Sequence, residues 1–177
     1  DALTNLGRYD DAVAAYKHIP EVDEANKDYK KLIAEAYAKG KKFTEAVAAM
    51  QEYIASKGEE VTYKEYDALA DIYIDQASVE GIAQAEKNKA LEEADKVYAQ
   101  IAEKFDYAAT YAVWKRALMN YTINPDMKTG RALPYYKKYI ELVEPKADKS
   151  SSETSKLATA YTYLAVHYIQ NDKKAEA

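Results

Sequence analysis

The sequence predicts an all-α protein built from helix pairs that recur along the chain. Three observations predict it. Only 5 Gly and 4 Pro punctuate 177 residues, and few segments alternate with the period of two that a strand needs. The composition sets 18 Tyr and 32 Ala against 10 Leu, large knobs beside small holes, which suits closely paired helices. One phrase also occurs, altered, four times: GRYDDAVAAYKHI (7–19), KKFTEAVAAMQEY (41–53), KALEEADKVYAQI (89–101) and MKTGRALPYYKKY (127–139).

The four phrases align on Ala12, Ala46, Ala94 and Ala132, spaced by 34, 48 and 38 residues. Four residues after each alanine stands a bulky side chain (Tyr16, Met50, Tyr98, Tyr136), and seven after it another (Ile19, Tyr53, Ile101, Tyr139). Offsets of four and seven put all three on one helical face, so each phrase is expected to be a helix, here helix B. Asp10 and Asp11 then fall in the first turn of B1, where acids complement the helix dipole. Pro20 should end B1 early, Gly58 should end B2, and Pro145 should end B4.

A second helix precedes each later phrase: KKLIAEAY (30–37), YDALADIY (66–73) and WKRALMNY (114–121), with YTYLAVHY (161–168) beginning a fifth copy. Offsets 0, 3, 4 and 7 make an apolar stripe, clearest in Tyr66, Leu69, Ala70 and Tyr73 and broken only at Lys30. The two signatures together resemble the tetratricopeptide repeat, whose helix A carries an aromatic, a large-plus-small pair and Tyr, and whose helix B carries Ala and then an aromatic. The resemblance covers nearly the whole chain. Leu118 departs from it by standing where a small residue is usual, and the proline that often closes helix B is missing or displaced.

The resemblance implies a right-handed α-solenoid of antiparallel helix pairs, one domain over 1–177. Its parts are a partial repeat 1 (1–25), repeat 2 (26–58), repeat 3 with a long insertion (62–106), repeat 4 (108–145) and a partial repeat 5 (150–177). Polar caps are expected at the ends of stacked repeats, and neither end supplies one. The chain therefore reads as a fragment of a longer array, with more of repeat 1 before Asp1 and more of repeat 5 after Ala177. The insertion between Tyr73 and Ala94 is either an extended helix B3 with a turn or a functional arm around Gly81. The segment TINPDMKTGR after Tyr121 is longer than the simple repeat by two residues.

The net charge of -5 and pI near 5.2 argue against a nucleic-acid partner, which wants a basic face. Cysteine is absent, so thiolate catalysis and Cys-ligated metals are absent too. No apolar run reaches the roughly 18 residues of a membrane helix. No nucleophile, metal or phosphate motif occurs, and the two histidines, His18 and His167, read as structural or surface residues. No catalytic residue, metal or cofactor is expected.

Function then falls to the exposed face of helix A, which in proteins resembling this one lines a concave peptide groove. Asp67, Asp71 and Asp75 run i, i+4, i+8 along A3, an arrangement that costs a helix a few tenths of a kcal/mol per pair. It reads either as a solvated acidic face or as a site for a basic segment or bound cation. The matching faces are Asp28, Lys31, Glu35 and Lys39 on A2; Lys115, Met119 and Ile123 on A4; and Thr162, Val166 and Ile169 on A5. They suit a protein segment basic at one end and aliphatic at the other; alternatively Met119, Ile123, Val166 and Ile169 pack against adjacent helices. One subgroup of the repeats that the chain resembles clamps the C-terminal carboxylate of chaperones with Lys and Asn on helix A. Glu35, Asp71, Met119 and Val166 occupy the Asn places here, so that partner is not expected.

The expected role is a non-catalytic interaction scaffold. The alternatives are an assembly module of a cell-envelope complex, or an accessory part of an enzyme. A bacterial envelope or periplasm is the preferred location and the cytoplasm the alternative. Eleven tyrosines and Trp114 fall on packing places of the repeat, while Tyr29, Tyr63, Tyr107, Tyr111, Tyr135 and Tyr163 have no assigned place.

Overall fold

The computed structural model describes residues 2–23, 25–26 and 28–171, and every regular element among them is helical. The elements are α1 (Ala2–Asn5), α2 (Tyr9–Tyr16), α3 (Ile19–Val22), α4 (Tyr29–Lys39), α5 (Phe43–Lys57), α6 (Tyr63–Ala77), α7 (Gln84–Lys104), α8 (Ala109–Ile123), α9 (Leu133–Val143) and α10 (Ser151–Gln170). Single 3-10 turns at Gly58–Glu60 and Asp106–Ala108 precede α6 and α8. The chain forms two compact units whose division falls inside α7, between Ala94 and Asp95. In the first unit α2 packs on α4, α4 on α5 and α5 on α6; in the second, α9 packs against both α8 and α10.

The alanines that align the repeated phrase mark the core. Ala12, Ala46, Ala94 and Ala132 are all fully buried, as are Ala34, Ala70, Ala117 and Ala160 on the helices paired with them. A side chain that stops at Cβ lets helix axes approach toward the short end of the usual range of about 8–10 Å. Larger side chains then fill the space around the contact: Met50, Tyr53, Tyr98, Ile101, Tyr136 and Tyr139 are buried at the expected offsets of four and seven.

The first copy departs from this. α2 ends at Tyr16, and Ile19 opens the separate helix α3 with Pro20 in its first turn. Proline's missing N–H and fixed φ suit a helix start and oppose continuation of α2, so Ile19 does not share a helix with Ala12.

Two registers also differ from expectation. On α8 the fully buried small residues are Ala112 and Ala117, with Val113 and Asn120 buried one turn to either side of Ala117. Leu118 is half-buried and therefore does not replace the small residue. On α10 the inward residues are Leu157, Ala160, Tyr163 and Tyr168, whereas Tyr161 is 43% exposed. The tyrosine left unassigned is a core residue, and the one assigned to the core faces outward. The Tyr163 ring packs at 4.7 Å on Tyr136 of α9, which fixes this register.

Local signals set the helix ends. Thr62 caps α6 and Ser150 caps α10 in capping boxes, with Glu65 and Glu153 reaching back to the cap amides at 2.9 Å in each case. Gly58, at φ 55°, stops α5 as expected. B4 begins one residue after its aligned alanine, because Ala132 is the cap of α9 and Pro134 lies in its first turn. The insertion adopts the extended-helix arrangement: α7 runs for 21 residues after a turn through Gly81.

Candidate functional site

In the first unit, Lys31 and Glu35 lie one turn apart on α4 with Nζ and Oε1 3.8 Å apart, and Lys39 is exposed in the last turn. Asp28 immediately precedes α4 and accepts a hydrogen bond from the Tyr53 hydroxyl at 2.9 Å, so it ties α4 to α5. Asp67 is half-buried on α6, and Asp71 and Asp75 are exposed on following turns of the same helix.

In the second unit the Lys115 ammonium sits 5.5 Å from the ring centroids of both Tyr98 and Tyr111, in cation–π range. Met119 is only 8% exposed and belongs to the packing, as the alternative reading of that face held. Ile123 and Val166 are half-buried, and Ile169 is 54% exposed at the end of α10.

Within the second unit a polar network joins the Asp95 end of α7 to α8 and α9. Arg116 donates from Nε to Asp95 Oδ1 at 2.9 Å and from Nη2 to Asp95 Oδ2 at 3.1 Å. Its guanidinium lies 4.6 Å from the Tyr135 ring centroid. Burial works against the charge on Arg116, and the bonds to Asp95 outweigh it. Asn120, buried on α8, donates to Asp95 Oδ1 and accepts from Arg131 Nε, each at 3.0 Å. Nothing in the local sequence pattern marks this network, because Asn120 sits on a stripe that elsewhere carries aromatics.

Beside it a cleft of about 440 Å³ opens among α8, α9 and α10. Tyr121, Tyr136 and Tyr163 form its aromatic walls, with Met127 from the loop before α9. α10 supplies Ser155, Ala158, Thr159 and Thr162. The last of these belongs to the A5 face singled out from the sequence; Ser155 and Thr159 lie on the preceding turns and were missed because the register of α10 differs.

Met127 is held in place from a distance. Its carbonyl accepts from His167 Nδ1 at 2.6 Å, which requires that nitrogen to carry the proton. Asn171 Nδ2 donates to the Lys128 carbonyl at 3.1 Å. The loop closes on itself through Asp126, which accepts from the Lys128 amide at 2.9 Å, and through Asn124, which donates to Thr129 Oγ1 at 2.9 Å.

Among the described residues the lining of the cleft is uncharged, in a chain that is 31% charged. Thr159 and Thr162 donate their hydroxyl protons back to the Ser155 and Ala158 carbonyls at 3.1 and 2.8 Å. Their remaining contribution is methyl groups and acceptor lone pairs. Burial pushes the Tyr136 hydroxyl up to about 12 and raises that of Tyr163, helped there by the nearby Asp126 carboxylate. Tyr163 is 2% exposed, and its hydroxyl is shut off from solvent without a hydrogen-bond partner. The Ala132 amide stands near enough to favour negative charge on that oxygen, but outside hydrogen-bond geometry, and it offers no acceptor for the proton.

His18 is exposed and pairs with Glu21 at 3.0 Å. Among the described residues no group of three or more His, Asp or Glu side chains is placed to hold a metal ion, and no helix is long and apolar enough to cross a membrane.

No protein-family model matches the chain, and none of the curated proteins matches it. Among solved structures, the C-terminal part of a TPR repeat-containing protein from Cytophaga hutchinsonii aligns with 100% of this chain and 89% of its own, at 16% identity and a TM-score of 0.35. A likeness that loose gives no residue a role.

Proposed function

We propose that the chain is a tetratricopeptide-type helical repeat that grips a protein segment on its helix A faces and carries out no reaction of its own. The observation that carries this is the contrast between inside and outside. Alanine is fully buried at the four aligned places Ala12, Ala46, Ala94 and Ala132 and again on α4, α6, α8 and α10, while the outward residues of those four helices change chemistry from helix to helix. A constant interior with a varying face is how stacked helix pairs build a recognition surface, since no pair buries its apolar side alone. Each unit is read by itself: in the first the acidic face of α6 suits a basic stretch, and in the second the uncharged residues of α8 and α10 suit an aliphatic one.

Peptides selected on the purified chain by display test this. Basic peptides are expected among the binders, with affinity that falls as salt rises and falls again in the Asp67→Asn/Asp71→Asn/Asp75→Asn variant. Unchanged affinity in that variant removes α6 from the surface. Failure to select any saturable binder overturns the scaffold reading.

A further inference from the structure

The first unit carries another surface, on the side of α4 opposite Lys31, Glu35 and Lys39. Tyr29, Ile33 and Tyr37 each stand two residues before one of those three, and positions two apart on a helix point about 200° apart. They line a cleft of about 410 Å³ between α4 and α5. The α5 side is a single stripe, Glu45, Ala48, Ala49 and Glu52, at offsets 0, 3, 4 and 7. Lys17 and Pro20, where α2 stops and α3 begins, and Lys30 in the first turn of α4 complete the lining.

The charges are sorted by element, both acids on α5 and both lysines away from it. They are also unmatched. Among the described residues Lys17, Lys30 and Glu52 have no ion-pair partner, and Glu45 has only the field of Lys42, whose ammonium is bonded to Asp10 at 2.6 Å. Exposed charges of the same unit outside the cleft do pair, as Arg8 does with Asp11.

We propose that this cleft docks one short amphipathic helix of a partner protein. Its leucines meet Tyr29, Ile33 and Tyr37, Lys or Arg at i and i+7 on one edge meet Glu45 and Glu52, and acids on the other edge meet Lys17 and Lys30. The stripe on α5 selects a helix. Ala48 and Ala49 let a second helix axis come close, as alanines do at helix crossings. Glu45 and Glu52 lie about 10 Å apart along α5, the rise of seven helical residues. An extended segment covers about 10 Å in three residues, whose side chains point to opposite faces, so it cannot turn both charges toward α5. The inference does not rest on the helix A reading, and the two fail separately.

Three blocked helical peptides with one leucine stripe serve as probes, titrated into the whole chain and followed by NMR. The matched probe carries Lys on one edge and Glu on the other; the second carries Glu on both edges, the third Lys on both. The matched probe is expected to bind saturably, to shift Ile33, Ala48 and Ala49, and to bind at least about threefold tighter than the others. Glu45→Lys/Glu52→Lys, at two exposed positions, should reverse the order and make the all-Glu probe the tightest. The proposal is overturned by equal affinity of the three probes, by an unchanged order in that variant, or by the absence of saturable shifts at Ala48 and Ala49. Shifts there that grow with protein concentration without peptide overturn it too, because the occupant is then a second copy.

Discussion

Asp95 and Arg116 face each other across α7 and α8 as a bidentate pair, with both bonds near 3 Å and the side chains only 16% and 25% exposed. This pair, and not an apolar contact, is the centre from which Asn120, Arg131 and Tyr135 are organised. Removing one partner leaves the other largely desolvated with only a neutral partner, Asn120 for Asp95 or Tyr135 for Arg116. Asp95→Ala and Arg116→Ala should each lower stability by about 1.5–3 kcal/mol, the range for hydrogen bonds to charged groups. The Asp95→Leu/Arg116→Met double variant should recover much of that loss, because exchanging a buried pair for apolar groups is often neutral. Urea denaturation midpoints distinguish these outcomes.

Gly130 adopts φ 70°, and a Cβ there would lie 2.7 Å from Cε1 of the His167 ring. Gly130→Ala therefore combines left-handed strain with a clash, and should cost about 2 kcal/mol or more. The ring must swing away and release the Met127 carbonyl. Gly81→Ala, with φ 77° and open space around it, is the control and should show the strain alone. Thermal unfolding ranks the two, and the His167 ring resonances should move only in the first.

At low pH the α10 cap is the group to watch. The Lys146 ammonium, then the Ser150 amide and hydroxyl, hold the Glu153 carboxyl down at about 2, against about 4.3 in an unfolded chain. The depressed value means that its contribution is present above about 4.3 and fades as pH falls toward 2. Glu153→Gln should thus narrow the stability difference between about pH 6 and about pH 3 seen in the parent chain. An unchanged difference would remove Glu153 from the acid response.

Tyr136 predicts the opposite limb. Burial lifts its hydroxyl to about 12, above the usual value near 10. The raised value favours the folded state below about pH 10, and that preference is lost as pH climbs from 10 through 12. Ultraviolet titration of phenolate should show a late component that shrinks in Tyr136→Phe without vanishing, because burial and the bond to Asp28 lift Tyr53 to about 12 as well.

Much of this fold is legible in the sequence, for a physical reason. The alanine phrase reports a steric requirement at each helix crossing, and stops such as Gly58 report backbone angles; both are local. The register of α10 is not local. Between Ala158 and Tyr168 Ala and Tyr recur so densely that two stripes fit equally well, and only the Tyr136 ring on α9 selects Ala160 with Tyr163. The cleft is less legible still. Met127 is fixed in its wall by His167, forty positions along the chain, a relationship that periodicity does not carry. Likewise Met119 shares the helix spacing of an exposed face yet is buried. The acidic run on α6, by contrast, was visible at once, since spacing along one helix is all it needs.

The central claim is that these helix pairs grip a protein segment on the helix A faces. Hydrogen exchange of the whole chain with and without a display-selected peptide tests it most directly. The account predicts slowed exchange in α6 or in α8 and α10. Protection confined to α5 and the outer side of α9, or none at all with saturating peptide, would contradict it.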